Sequence, residues 1–126
     1  MIAAALAHQV RNGAPATQIA GAVAATWRHA EQCLTPVLGP QGVAALYKRS
    51  LLLTGRAYPW LAGLHDSVSS SVDLSPLTSA LATRESAEAA QAGGESLQTF
   101  YGLVAGLIGP SLTHRLLRFM WQPLES

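Results

Sequence analysis

Apolar side chains recur along this chain at the spacing of an α-helix. In the first segment Ile2, Leu6 and Val10 stand four residues apart, and later segments repeat this spacing. No stretch alternates between apolar and polar residues as a half-buried strand does. We therefore predict an all-α fold. Within it, Gly93-Gly94 is either a break between two helices or a weak point in a longer helix. The predicted helices span 2–10, 17–34, 41–57, 59–72, 76–92, 97–108 and 112–121.

Glycine and proline mark the corners between these helices. Residues 37–40 (Val-Leu-Gly-Pro) and 107–110 (Leu-Ile-Gly-Pro) each join two apolar segments, and a Gly-Pro pair does not continue a straight helix. The likeness of the two corners has two interpretations: an old duplication of a helical hairpin, or two uses of a common corner. We predict a five- or six-helix bundle with Gly-Pro corners, one domain over 1–126 in which 1–15 form a loosely attached N-terminal helix.

The apolar stripes of these helices define a candidate core. The third helix carries three consecutive leucines at 51–53, which point about 100° apart, so we expect this helix to be buried on more than one side. The predicted core consists of Ile19, Val23, Trp27, Leu34, Leu46, Leu51, Leu64, Leu81, Phe100, Val104, Leu107, Leu112 and Leu116.

Charge and composition narrow the classes of partner. Only 12% of the residues are charged, against about 25% in an average globular domain. A surface with so few charges favours association with another chain, and we predict a homodimer. The net charge of +1 gives no basic footprint for nucleic acid and no polybasic contact with a membrane.

Several features indicate a cytoplasmic protein of bacterial type. Cys33 is the only cysteine, which excludes an internal disulfide and fits a reducing compartment. The N-terminal segment lacks the basic region and the apolar length of a signal peptide. The longest apolar stretch, 103–108, is far shorter than the ~20 residues of a membrane helix. Arginine supplies seven of the eight cationic side chains, a composition that we interpret as that of a GC-rich bacterial genome.

One short segment near the N-terminus carries chemistry of its own. Residues 6–12 have the sequence Leu-Ala-His-Gln-Val-Arg-Asn, which resembles the phosphoacceptor box of sensor histidine kinases. The resemblance implies that His8 accepts a phosphoryl group on a ring nitrogen and that Gln9 helps to set the protonation of the imidazole. No glycine-rich nucleotide box follows, so the phosphoryl group would come from another kinase. The alternative is a solvated histidine on an ordinary amphipathic helix.

Two further patterns bear on metal binding and on helix packing. His29 and Cys33 lie four residues apart and share a helical face, but nothing supplies a clear second pair of ligands. We therefore predict no metal and no cofactor. Gly102 and Gly106, also four apart, form a ridge of small residues that allows close backbone approach. We predict a helix crossing there, either within the bundle or across a dimer axis.

Large side chains of the later helices are candidates for a ligand or partner site. Aromatic side chains near helix ends anchor interfaces, and aromatic residues also line apolar pockets between helices. The same side chains are equally well explained as core. The candidate ligand-binding or partner-binding residues are Trp60, Phe100, Tyr101, Met120 and Trp121.

The sequence favours a non-catalytic function. No motif places a nucleophile, a base and an orienting group together. The runs at 45–51 and 107–112 resemble small uncharacterised all-helical proteins of bacteria, and this resemblance implies no activity. We expect a regulatory or adaptor module that self-associates and binds a signalling partner. The alternatives are a histidine phosphotransfer protein that uses His8 and a helical domain that senses a small molecule.

Overall fold

The protein folds into helices alone over the residues that the computed structural model describes, 2–68 and 72–121. This confirms the predicted all-α bundle. These residues form five α-helices, and a bend in the second divides it into two segments, so that six helical segments pack together. The helices are α1 (Ile2–Arg11), α2 (Ala16–Ala57), α3 (Ser75–Ala82), α4 (Ser86–Ile108) and α5 (Pro110–Leu116). Short 3₁₀ turns lie at Pro59–Leu61, Leu64–Ser67 and Arg118–Trp121.

Both Gly-Pro corners are sharp bends, as predicted. Gly39 interrupts α2 with φ 79° and ψ 158°, and Gly109 separates α4 from α5 with φ 92° and ψ 150°. Glycine adopts this conformation without the steric cost that a Cβ would add. The following proline has φ fixed at a helical value and begins the next segment. Each bend therefore reverses the chain without an intervening loop.

The structure corrects two of the predicted helices and decides between the alternatives left open at Gly93-Gly94. Residues 59–72 do not form one helix: Gly63 adopts a left-handed conformation between two short 3₁₀ turns. The predicted helix 76–92 is divided at residues 83–85, because Glu85 is extended and α4 begins after it. Gly93-Gly94 lies inside α4 and breaks nothing.

The centre of the bundle is the packing of the first part of α2 against α4. The Trp27 ring meets the Phe100 ring with centroids 4.7 Å apart, and the Val23 side chain lies against the backbone of Gly93. Val23 contacts Gly93, and Trp27, further along α2, contacts Phe100, further along α4. The two helices therefore run in the same direction. The other helices complete the core, with α1 packed mainly against α4 and α3 mainly against α2.

Most of the predicted core is buried, and one member is not. Leu46, Leu64, Leu112 and Leu116 are half-buried at its edge. Leu107 was predicted to be core and is 61% exposed. It lies in the last turn of α4, where the chain bends away at Gly109 and leaves this side of the helix uncovered. The predicted members that are fully buried are Ile19, Val23, Trp27, Leu34, Leu51, Leu81, Phe100 and Val104.

In the described part of the chain, no helix combines the length and the hydropathy needed to cross a lipid bilayer.

Candidate functional site

The outer side of the last two turns of α4 is an uncharged, solvent-facing surface. Gly102 and Gly106 are exposed one turn apart, and the exposed Leu107 side chain lies beside them. No charged residue occurs between Glu95 and Arg115, so nothing on this stretch repels an apolar partner. We call this surface the α4 ridge; it consists of Gly102, Leu103, Gly106, Leu107 and Pro110.

The glycines of the α4 ridge are not explained by packing within the described chain. A Cβ atom added to Gly102 or Gly106 would meet no neighbouring atom within 4 Å. Gly93 is the contrasting case, since its added Cβ would lie 2.5 Å from Cγ2 of Val23. The close helix crossing inside the bundle is therefore at Gly93. Of the two alternatives predicted for Gly102 and Gly106, a crossing within the bundle is not found among the described residues.

A shallow depression open to solvent adjoins the α4 ridge at the start of α5. It is lined by Pro110, Ser111, His114 and Arg115. The proline is shared with the ridge, so the uncharged surface passes directly into a basic one. An occupant of the ridge that extends past the Gly-Pro bend would meet the Arg115 guanidinium.

A second group of side chains lies where the 3₁₀ turn after α2 meets the start of α4. The indole Nε1 of Trp60 donates a hydrogen bond to Oε2 of Glu88 at 3.1 Å, and the guanidinium carbon of Arg84 lies 4.6 Å from the Trp60 ring centroid. Nη1 of Arg84 is 3.9 Å from Oε1 of Glu88, one helical turn further on. The sequence singled out Trp60 and missed these partners, although the Arg84–Glu88 spacing was a detectable signal.

Tyr58 extends this group toward the next turn of α4. Its ring lies edge-on to Trp60, with centroids 6.2 Å apart. Burial, a hydrogen bond to the Glu95 carboxylate, and the charges of Glu95 and Glu88 raise the pKa of Tyr58 to about 12. The phenol therefore stays protonated at neutral pH and acts as a donor. The group therefore ties the 3₁₀ turn after α2 to the start of α4.

The candidate ligand-binding residues lie in different surroundings. Phe100 and Met120 are completely buried, and Phe100 packs on Trp27. Tyr101 is half-buried on α4, whereas Trp60 belongs to the group with Arg84 and Glu88. The side chain of Trp121 lies outside the described residues. A site built from these residues stays a prediction.

His8, the candidate phosphoacceptor, is exposed on α1. Nδ2 of Asn12, the last residue of the histidine kinase-like segment, lies 3.1 Å from Nε2 of His8. The helix positions the imidazole at the surface, where a phosphoryl donor has access to it. This contact thus comes from the segment that carries the resemblance.

His29 and Cys33, the pair of possible metal ligands in the sequence, have different surroundings on α2. The His29 ring stacks on Phe119, with centroids 3.8 Å apart, and burial raises the pKa of the Cys33 thiol. Among the described residues no three side chains of His, Cys, Asp or Glu lie together in an arrangement that holds a metal ion.

Comparison with protein families, with curated proteins and with solved structures gives no match.

Proposed function

We propose that this protein is a non-catalytic regulatory or adaptor module whose first partner is a second copy of itself, bound through the α4 ridge. The observation that carries the proposal is the exposure of Gly102 and Gly106 beside an exposed Leu107. A signalling protein as a further partner and a cytoplasmic location belong to the same proposal. Cys33, a free thiol, is compatible with that location.

The cost of the two glycines supports an external partner. A glycine inside a helix costs about 1 kcal/mol relative to alanine. An alanine methyl group would fit at either position, because nothing lies within 4 Å of it. Packing within the described residues therefore gains nothing from the two glycines, whereas a helix packing from outside approaches more closely when they are present.

Self-association is favoured because the ridge carries both halves of a complementary contact. Leu107 projects from the surface, and Gly102 and Gly106 leave a groove next to it. In an interface with twofold symmetry the same patch is used on both subunits, so the leucine of one copy fills the groove of the other. The surface has no charged side chain that would oppose this contact.

The combined substitution Gly102→Ala and Gly106→Ala is expected to change monomer stability and self-association in opposite directions. The methyl groups raise the free energy of unfolding of the monomer by up to about 1 kcal/mol each. They also fill the groove and shift the dimer toward monomer. Sedimentation velocity over a range of concentrations measures association, and urea unfolding in dilute solution measures stability.

Two variants serve as matched controls. Gly21→Ala adds a methyl group at another exposed helical glycine with nothing within 4 Å, and should stabilise the monomer while leaving association unchanged. Val37→Ser removes the other exposed aliphatic side chain and should also leave association unchanged, whereas Leu107→Ser should weaken it. A wild-type protein that is monomeric at every concentration, or association that ignores both ridge variants, contradicts the proposal.

Phosphotransfer through His8 is a second candidate function. The exposure of the ring, in a segment that resembles a phosphoacceptor box, favours it. Incubation with phosphoramidate, a small-molecule phosphoryl donor, is expected to add one phosphoryl group to the wild-type protein but not to His8→Gln. Intact-protein mass spectrometry measures the addition.

His114→Gln, which removes a different exposed imidazole, is the matched control and should be labelled normally. Equal labelling of the wild type and His8→Gln rules this function out.

A further inference from the structure

The two Gly-Pro bends of the chain are structural counterparts. Gly39 and Gly109 are 70 residues apart and share a backbone conformation, with φ 79° and ψ 158° in one and φ 92° and ψ 150° in the other. The helices that end at these bends begin at Ala16 and Ser86, again 70 residues apart. Each half of the chain therefore contains a long helix of the same length that ends in the same bend.

The pattern of burial repeats with the same offset. Residues 31–40 and 101–110 show an identical order of buried, half-buried and exposed positions. Across the 36 pairs from 15/85 to 50/120, the burial class differs at only five: 18/88, 22/92, 29/99, 44/114 and 49/119. Helical periodicity alone would not keep two segments in register across a bend. The correspondence therefore includes the helix before the bend and the segment after it.

The packing of the short helices follows the same relation. The helix α1 precedes α2 in the chain but packs mainly against α4, and α3 precedes α4 but packs mainly against α2. Each half thus places its first helix on the long helix of the other half. Such a reciprocal exchange is the contact pattern of a symmetric dimer, in which each contact occurs twice.

A contact between counterparts locates the symmetry axis. Val23 and Gly93 occupy equivalent positions, and an added Cβ at Gly93 would lie 2.5 Å from Cγ2 of Val23. A residue touches its own counterpart only beside a twofold axis. We infer that the chain is an internal pseudo-dimer, in which residues 16–50 and 86–120 are equivalent halves related by an approximate twofold axis that passes between Val23 and Gly93.

Near this axis, a large side chain in one half has a smaller side chain at the equivalent position of the other half. Trp27 and Phe100 contact each other, and their counterparts are the smaller Leu97 and Ala30. Only five counterpart pairs are identical, namely Ala20/Ala90, Ala22/Ala92, Gly39/Gly109, Pro40/Pro110 and Leu46/Leu116. The bends and the burial have thus been retained while most side chains diverged.

The symmetry also relates the exposed surface of one half to that of the other. Val37 and Leu107, the large hydrophobic side chains that the described chain exposes, are counterparts. At the positions of Gly102 and Gly106 the first half has Gln32 and Pro36. Only the second half therefore has a groove beside its exposed aliphatic side chain.

An exchange of side chains across the axis tests the inference. We expect Val23→Gly, which leaves a cavity, and Gly93→Val, which inserts an isopropyl group beside Val23, each to lower the folding equilibrium constant by about 30-fold or more. The double variant V23G/G93V should return close to the wild-type value, because the two positions have equivalent surroundings. Urea unfolding of the full-length protein in dilute solution gives all four values.

A control and a milder pair complete the experiment. Gly93→Val combined with Ala24→Gly, a change at the residue next to Val23, should show no recovery. An unfolded V23G/G93V contradicts the inference. If Gly93→Val alone is unfolded, the pair Val23→Ala and Gly93→Ala makes the two counterparts identical, and the double variant should exceed Gly93→Ala alone in stability. The sum of the two single-variant changes in unfolding free energy gives the stability expected without coupling. If the double variant of either pair is no more stable than this sum, the inference is overturned. Equal recovery with Ala24→Gly does the same.

Discussion

Replacing Trp27 with alanine is expected to cost about 3–5 kcal/mol of the free energy of unfolding. Trp27 is 1% exposed, and its ring contacts Tyr47 and Phe100 with centroid separations of 4.8 and 4.7 Å. The indole therefore joins α4 to both segments of α2, and its removal leaves a cavity where they meet. Urea unfolding monitored by far-ultraviolet circular dichroism measures the loss. Since small domains are stable by only about 5–15 kcal/mol, the variant is expected to be marginally folded.

Trp27→Phe is the matched control for this prediction. A phenyl ring keeps much of the contact with Tyr47 and Phe100, and it removes an indole N–H that has no hydrogen-bond partner in the described chain. A buried donor without a partner carries a desolvation cost, so its loss offsets part of the lost packing. We expect the phenylalanine variant to lose less than half of what the alanine variant loses. A loss below about 1 kcal/mol for Trp27→Ala would contradict the central position of this side chain.

Replacing Gly39 with alanine is expected to cost about 1–3 kcal/mol, because the residue would be held in a conformation open almost exclusively to glycine. The bend has φ 79° and ψ 158°, and nothing lies within 4 Å of the added Cβ. The loss is therefore due to the backbone and not to a clash. Gly109→Ala, at φ 92° and ψ 150°, should cost a similar amount. The unfolding midpoint in urea measures both changes.

Gly21→Ala separates the effect of the bend from a general effect of glycine. Gly21 is exposed inside α2, with nothing within 4 Å of an added Cβ. Alanine is expected to stabilise the protein there, with a sign opposite to that at Gly39 and Gly109. If all three alanines change stability in the same direction, the two bends do not require glycine.

The two proposals depend on different properties of α4. Self-association depends on its solvent-facing side at Gly102, Gly106 and Leu107, whereas the pseudo-dimer depends on its buried side at Gly93. Their experiments measure oligomeric state in one case and the stability of the dilute protein in the other. Either proposal can therefore fail without affecting the other.

Local sequence signals were sufficient to predict the structure where a residue type restricts the backbone to one conformation. Gly-Pro at 39–40 and 109–110 stops a straight helix whatever surrounds it, and both bends were predicted. The first helix was predicted over 2–10, and α1 ends at Arg11, before Gly13 at φ 85°. The periodicity of apolar residues predicted helices rather than strands, because a buried stripe at the helical period is incompatible with the alternation of a strand.

Predictions failed where a side chain's role depends on distant parts of the chain. Leu107 follows the apolar stripe of α4 as well as Val104 does, yet it is 61% exposed while Val104 is fully buried. The difference arises because the covering helices do not extend over that side of the last turn. The helix predicted over 59–72 failed for a related reason. Leu61 and Val68 keep the apolar spacing of a helix, but they are buried from separate turns. Burial constrains where a side chain lies and does not require a continuous helix between the two residues.

The sequence by itself determined the fold class, the positions of both bends, and the burial of Trp27 and Phe100 in the core. It also determined the low fraction of charged residues. These properties follow from local backbone sterics and from the periodicity with which apolar surface leaves water. Only the tertiary structure decided which glycines are packed and which face solvent, and which halves correspond. Gly93, Gly102 and Gly106 look alike in the sequence, and they differ only in what lies across from each. That neighbour is supplied by a segment some 70 residues away for Gly93 and by no described segment for the other two.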